Sequence, residues 1–498
     1  MAEPYRIVVG LEVHVQLLTK TKLFCGCSTQ FGQPPNSATC PVCLGLPGVL
    51  PVMNAKAYDL SLRAALAVNC SIARFTKWDR KNYYYPDLPK NYQVSQYDLP
   101  MSHDGWLEIN AANDPKKEFV SKKIGIIRAH LEEDAGKSTH DESGRGGDSK
   151  VDLNRTGTPL LEIVSHPEIS TAREAGDYLR ELRLLLRELK ISDCEMQEGS
   201  LRCDANINIH VLDDKGEVVG KTPIVEVKNL NSIGSVERSI DYEAVRHYEQ
   251  YKADKNWRFG VFSKETRGWN DAKGSTTVQR RKEEAADYRY FPEPDLVPVV
   301  VSDEQLAKVR SEMGELPSAQ RVRLQQAPYS LSAYDAGVLT AQGRSIVAYF
   351  EAVVKSSNDA KASSNWVTNE VLASLKERDE AIEQFPIQAD RLAGMITEIT
   401  KTGMNKNNAR AVYKHLLENN VDAATAAKAL GIEVMADTSK LLEIVLKAID
   451  ANPKAVTDFK NGKVKAADAI KGAVMRETKG SANTEIVQQL VMQELAKK

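Results

Sequence analysis

Residues 6–17 read Arg-Ile-Val-Val-Gly-Leu-Glu-Val-His-Val-Gln-Leu, with Leu11, Val13, Val15 and Leu17 alternating against Glu12, His14 and Gln16. A period of two belongs to a β-strand, where successive side chains point to opposite faces. The chain therefore opens with a strand that can bury one face in a core while its other face presents an acid and an imidazole. Taken alone, an edge strand with a solvated polar face accounts for such a pattern. The rest of the chain repeats it too often for that account.

The stretch from Ile124 runs as an apolar strand into the acidic cluster Glu132-Glu133-Asp134. Glu162 interrupts the apolar run Pro159–Val164, Arg202, Asp204 and Asn206 alternate along 201–209, and Glu226 and Lys228 do so along 223–231. Five strands carrying Glu12, His14, Glu132, Glu162, Asp204 and Glu226 are expected to converge on one polar cavity. Carboxylate oxygens with one imidazole suit Mg²⁺ or Mn²⁺ better than zinc. Lys228, Arg202 and Arg155 are expected to face phosphates. A polar barrel interior made of satisfied ion pairs is the competing reading.

Gly136-Lys137-Ser138 imitates the end of a P-loop, but Leu131 stands where the first glycine of that motif belongs. Three carboxylates just upstream would also repel a phosphate from a bare backbone cradle, unless a cation lay between them. The loop from Ser138 to Lys150, with Gly144-Arg-Gly-Gly147, is expected to be polar and mobile. Residues 77–96 interleave Lys77, Arg80, Lys81 and Lys90 with Tyr83, Tyr84, Tyr85 and Tyr92. Such a mixture can stack a base and neutralise phosphate, or simply pack a set of short strands.

Seven cysteines occur in the 498 residues. Four of them form the close pairs Cys25-Gly-Cys27 and Cys40-Pro-Val-Cys43, joined by a loop rich in Pro, Asn, Ser and Gly. Two such pairs can place four thiolates around a tetrahedral zinc, and a site filled by four thiolates keeps no open position for catalysis. The expectation is a structural zinc in an insert at 25–43. Cys70, Cys194 and Cys203 lack comparable spacing.

Lys+Arg 66 against Asp+Glu 68 leaves a net charge of -2, so no global field draws the chain to nucleic acid or a membrane. No apolar run reaches the roughly 18 residues of a membrane span, and Met-Ala-Glu-Pro-Tyr has no signal-peptide character. A cytosolic protein is expected. Helix signals frame the strands: Asn54–Val68, then a helix entered through a Thr171/Glu174 capping box with Tyr178, Leu179, Leu182 and Leu186 on one face. Beyond Asp295 the strand signals nearly vanish, and helices are expected after Ser302, after Asp390 and from Ser439. The predicted fold class is α+β: a sheet-built cradle over 1–295, a helical domain over 296–425 and a small helical tail over 426–498. From Asn452 to Lys498 the tail holds nine basic and five acidic residues; such an excess can be an RNA footprint or a solvated helix face.

In their order, these stretches resemble the B-subunit family of the bacterial aspartyl/glutamyl-tRNA(Asn/Gln) amidotransferases. The resemblance rests on Gly10–Leu17, the four cysteines, Asp79–Pro86, Leu131–Ser138, Asp152–Ile163, Glu198–Asn206, Glu226–Ser232 and Asp287–Pro292, and it runs to the C-terminus. It implies ATP-dependent phosphorylation of the side-chain carboxylate of a misacylated Glu-tRNA(Gln) or Asp-tRNA(Asn). Ammonia delivered through a tunnel from an amidase (glutaminase) A-subunit then displaces the phosphate, with a small C-subunit bracing a bacterial, cytoplasmic heterotrimer that engages neither DNA nor membrane. It also implies that Glu12, His14 and Glu132, followed by Glu162, Asp204 and Glu226, are magnesium ligands. Lys228 would join the catalytic set, and Arg155, Arg202 and Asn206 would contact the nucleotide or acyl group. The tail domain would touch the tRNA body. Two rivals remain: a non-catalytic, zinc-containing tRNA-binding scaffold, and an ATP-grasp-like ligase, whose glycine-rich loop is not evident.

Overall fold

The computed structural model describes residues 4–112, 119–139, 148–281, 288–432, 438–460, 463–478, 482 and 484–497. The Gly144–Gly147 loop, Asp287, Lys479 and Lys498, all singled out above, lie outside them. The chain divides into two compact units, Met1–Gln320 and Arg321–Lys498, and the fold class is α+β.

The first unit is built on a 10-stranded sheet. Its strands are β1 (Tyr5–Gln16), β2 (Ser71–Ile72), β3 (Ser102–Asn110), β4 (Ser121–Glu133), β5 (Pro159–Ser165), β6 (Leu201–Leu212), β7 (Val218–Lys221), β8 (Val225–Lys228), β9 (Glu265–Asn270) and β10 (Ser275–Arg281). The spatial order is β10-β9-β8-β6-β1-β5-β4-β3-β2, with β7 paired to β6. Only β8 and β9 run parallel; the other pairs are antiparallel. The opening strand is therefore not an edge but a central strand, between β5 and β6.

Centrality explains its alternation. Val9, Leu11, Val13 and Val15 are completely buried in a core shared with three helices: α1 (Ala55–Ala67), α2 (Ala172–Glu188) and α3 (Ile233–Ala253). Leu60, Leu62, Tyr178, Leu182, Val236 and Ile240 fill that layer. Truncating any of the fully buried leucines to alanine is expected to cost about 2–5 kcal/mol. The capping residues behave as the sequence suggests, with one refinement. Thr171 accepts from the Glu174 amide at 3.0 Å, but the Glu174 carboxylate takes the Ser170 amide and Lys122 Nζ, both at 2.7 Å. The helix start is thus tied to β4.

With one face of the sheet sealed by helices, its polar face is left for the site. A three-stranded sheet of Asp79–Asn82, Tyr92–Ser95 and Phe291–Pro292 brings Lys81, Gln93 and Ser95 to the same cavities as that polar face. The helix Asp303–Met313 packs Leu306, Val309 and Met313 into the first unit's core. The boundary expected at 295 consequently falls inside this unit.

The second unit is helical and holds two separate apolar clusters. One runs from Leu324 to Ala427 and is centred on Phe350, Val371, Leu392 and Val412; the other runs from Leu441 to Leu495. Ala426 and Ala427, on the short helix Ala423–Ala429, pack into the former, so the cores separate after Ile432, later than the expected 425.

Candidate active site

Strand register assembles the site. In directly opposed pairs on neighbouring antiparallel strands, side chains share a face with Cβ atoms about 5 Å apart. His14 lies opposite Glu162 on β5 and Arg202 on β6, and Glu162 in turn lies opposite His130 on β4. The row across four strands is His130, Glu162, His14, Arg202. Two positions along β1, Glu12 faces Asp204, and beside this pair Asn206, Glu226 and Thr266 form a further row.

The six expected magnesium ligands divide into two triads, His14/Glu132/Glu162 and Glu12/Asp204/Glu226, each with its ligand atoms within 4.8 Å of one another. In the first, His14 Nε2 stands 3.6 Å from Glu162 Oε2 and 3.8 Å from Glu132 Oε1. His130, not singled out from the sequence, reaches the same carboxylates from the other side, at 3.5 and 3.8 Å. In the second, Asn206 Nδ2 donates to Glu12 Oε1 at 2.7 Å, and Thr266 Oγ1 donates to Glu226 Oε2 at 3.0 Å. Lys228 pairs with Asp204 and lies 3.3 Å from Glu226 Oε1. Asn206, expected to contact nucleotide, orients Glu12 here.

The electrostatics follow from burial. Desolvation pulls the His130 imidazole down to about 4, so this ring is neutral. At His14 burial also opposes the charge, yet the hydrogen bond and charge of Glu162, with Glu132 behind it, outweigh that and raise the pKa. Burial and the adjacent Glu162 carboxylate push Glu132 up. Glu162 is driven down despite burial by His130, His14 and Lys81, and remains the ionised member of the pair. Lys81, deep in the same site, is disfavoured by burial but held charged by Glu132, the nearby tyrosines and Glu162.

Arg202 Nη2 binds Asp134 Oδ2 at 2.8 Å, Gln16 Nε2 donates to the same oxygen at 2.8 Å, and Arg155 Nε lies 3.6 Å from it. Asp134 thus holds both expected phosphate-binding arginines. Arg155 also donates to the carbonyls of Ala135 and Gly136 at 2.8 and 2.6 Å, which fixes its guanidinium at the rim. Two cavities of about 790 and 690 Å³ share His14, Lys81, Asp204 and Lys228. Arg155 and Arg202 line the former, and Tyr85, Tyr97, Tyr288 and Tyr290 the latter. Tyr97 and Tyr290 stack with centroids 4.0 Å apart. The missed residues carried a usable signal: His130 stands two positions before Glu132 on one strand, and Lys81 two after Asp79.

The cysteine insert borders the arginine side of the site. Sγ atoms of Cys25, Cys27, Cys40 and Cys43 lie within 4.8 Å of one another, close to the edge of about 3.8 Å of a tetrahedral zinc–thiolate site. Fully buried Lys22 places Nζ 3.7 Å from Cys43 Sγ, a cation that offsets the negative charge of a four-thiolate site. The insert is fastened to the segment before Arg155: Asn36 Nδ2 donates to the Val151 carbonyl at 3.0 Å, the Leu153 amide to Asn36 Oδ1 at 2.8 Å, and Asn154 Nδ2 to the Pro34 carbonyl at 2.7 Å. The triads fit hard divalent cations: each crowds carboxylates that repel unless a positive charge lies between them, and Asn206 Oδ1 and His130 Nδ1 are buried without a partner beside them.

The sheet-built unit with its acid triads and the helical unit that follows it correspond to two known family domains. Residues 7–307 match the GatB/GatE catalytic domain and residues 348–495 the GatB domain. The chain is 49% identical over 494 residues to the B-subunit of the aspartyl/glutamyl-tRNA(Asn/Gln) amidotransferase of Rhodopirellula baltica, covering 99% of this chain and 97% of the relative. It is 46% identical to the B-subunit of the same enzyme from Carboxydothermus hydrogenoformans, covering 99% of both. The chain belongs to the B-subunit family of the aspartyl/glutamyl-tRNA(Asn/Gln) amidotransferases. Among the described residues no helix is long and apolar enough to cross a membrane.

Proposed function

We propose that this chain phosphorylates and then amidates the side-chain carboxylate of a misacylated Glu-tRNA(Gln) or Asp-tRNA(Asn), using ATP and ammonia supplied by an amidase partner, within a cytoplasmic heterotrimer that also holds a small third protein. One observation carries the reading: two acid triads lie side by side on one sheet face, with Lys81 and Lys228 lining both cavities there and Arg202 the larger one.

The substrate carboxylate has an ordinary pKa near ~4.3 and is already a nucleophile at neutral pH, so the phosphoryl transfer needs no general base. Its difficulty is bringing one anion against another. Lys81 and Lys228 place positive charge beside both triads, and Arg202, held by Asp134, extends it into the larger cavity. Mg²⁺ held by Glu12, Asp204 and Glu226, and by His14, Glu132 and Glu162, would offset the charge of the transferring phosphoryl group. Asn206 and Thr266 fix the orientation of Glu12 and Glu226. His130, kept neutral by burial, fills the floor beside Glu162 without adding a charge. The floor is deep: Glu132, His130 and Glu162 are all buried, which favours amidation of the acyl phosphate over its hydrolysis. Zinc at the four cysteines would be structural, bracing the segment that ends in Arg155.

The test is phosphate release from ATP by the reconstituted complex on each misacylated tRNA. Magnesium-dependent turnover stimulated by at least one of them is expected. No stimulation by either, with intact glutamine hydrolysis and tRNA binding, would leave the chain a non-catalytic scaffold.

A further inference from the structure

The second unit contains a cavity of about 470 Å³ that takes no part in the reaction above. One wall is a continuous helix made of Ala360–Trp366, Val367–Val371 and Leu372–Arg378, whose middle segment is wound as a π-helix. Such a segment gives up regular helix hydrogen bonding and recurs at functional sites. Here Val367 and Val371 are locked into the apolar core, while Asn365, Trp366 and Asn369 line the cavity.

The lining has three chemical parts. Its floor is apolar, with Ile399, Met404 and Ala409. Half-buried Trp366 offers an aromatic surface backed by Tyr413, the ring centroids 5.7 Å apart. Among the described residues neither the indole N–H of Trp366 nor the side-chain amide of Asn365 has a hydrogen-bond partner, and Lys406 at the rim has no ion pair. Arg410, also at the rim, is engaged by Glu370 at 2.7 Å.

A flat π surface, an adjacent amide able both to donate and to accept, and a free cation at the mouth form the combination that holds an unstacked base together with its phosphate. An apolar protein side chain would fill the floor but leave the indole N–H and the Asn365 amide unsatisfied, which is unfavourable once water is excluded. We infer that this cavity receives a single unstacked nucleobase from the body of the tRNA, stacked on Trp366, read by Asn365 and anchored through its phosphate by Lys406. The inference rests on the reading that this chain acts on tRNA.

The test uses the assembled complex and an uncharged tRNA transcript at fixed salt. Trp366→Ala should weaken binding about 5- to 100-fold, the range for loss of one stacked base. Trp366→Phe, which keeps a stacking ring, should stay within about threefold of wild type, and Asn365→Ala should lose about five- to tenfold. Glutamine hydrolysis without tRNA and the stoichiometry of the complex should not change. Trp366→Phe should also remove part of the tryptophan fluorescence quench produced by tRNA. If Trp366→Ala fails to fold, the exposed Asn365 and the Trp366→Phe quench decide. Wild-type affinity in both Trp366→Ala and Asn365→Ala overturns the inference, and so does failure of the complex to assemble with tRNA affinity intact, which would make the cavity a protein-docking site. If the wild-type complex itself binds no tRNA, the functional reading fails and takes this one with it.

Discussion

Replacing Glu12 by glutamine removes one negative charge from the Glu12/Asp204/Glu226 triad while keeping an oxygen to accept from Asn206 Nδ2, now 2.7 Å away. Like charges within 4.8 Å of one another repel by about 3.5 kcal/mol at an effective dielectric constant of about 20. The substitution relieves two such repulsions and forfeits one attraction to Lys228, whose charge Glu12 helps to stabilise. The net gain is one term of that size, cut by solvent screening at half-buried Glu12 to about 1–2 kcal/mol. In magnesium-free buffer the sheet-bearing unit of E12Q, about 320 residues long, should therefore melt roughly 1.5–3 °C higher than wild type. Turnover should move the other way, with tRNA-stimulated ATP hydrolysis falling by about 100-fold or more as one pre-aimed charge is lost. Added Mg²⁺ should raise the melting temperature of wild type more than that of E12Q, in which only the His14/Glu132/Glu162 triad is left intact, because a cation stabilises only the state that binds it. Calorimetry with and without Mg²⁺, beside a phosphate-release assay on the complex, reads all three. Wild-type turnover in E12Q, or a lower magnesium-free melting temperature, would refute the assignment of this triad as a cation site.

Three further outcomes are expected. Protein purified without chelator should carry about one zinc per chain, and Cys43→Ser should lose it and melt several degrees lower; zinc content near zero in the wild type would remove the structural-zinc assignment. Glu243, fully buried, is opposed by burial, yet His247 and Arg246 hold it down to about 2 against an ordinary 4.5. A depressed carboxyl contributes stability above its unfolded pKa and loses it as pH falls through the folded one, here about 3 kcal/mol at neutral pH. Glu243→Gln should accordingly melt well below wild type at pH 7, with the gap closing between pH 4.5 and about 2; a gap independent of pH would contradict the pairing. Deleting 433–498, beyond the first helical cluster, should raise the KM for tRNA about tenfold or more with little change in ATP affinity; an unchanged KM would free the tail from tRNA contact.

Much of the site's composition was legible in the sequence alone, because in a strand the face a residue takes follows from its parity. That is why Glu12 with His14, Arg202 with Asp204 and Asn206, and Glu226 with Lys228 could be assigned to common faces, and why the cysteine spacing pointed to one cluster. Arg155 shows the limit. Its position looked like a phosphate contact, yet it spends its donors on the carbonyls of Ala135 and Gly136 and leans on Asp134, a residue whose role no local pattern announces. His130 shares its strand face with Glu132 by parity, but a lone histidine on a strand is more often a satisfied core residue, and its approach to both Glu132 and Glu162 appears only in the folded chain.

Local stereochemistry determined which side chains share a face, where helices such as Ala172–Glu188 begin, and that the C-terminal part is helical. Tertiary structure decided which faces meet. Opposite His14 stand Glu162 and Arg202, each more than a hundred residues away along the chain, and that register depends on pairing between distant segments rather than on either segment's own period. The same long-range pairing makes the opening strand central instead of an edge and divides the six expected ligands into two triads. Charge states came last, since the neutrality of His130 and the ionisation of Glu162 follow from burial and from neighbours that only the folded chain brings together.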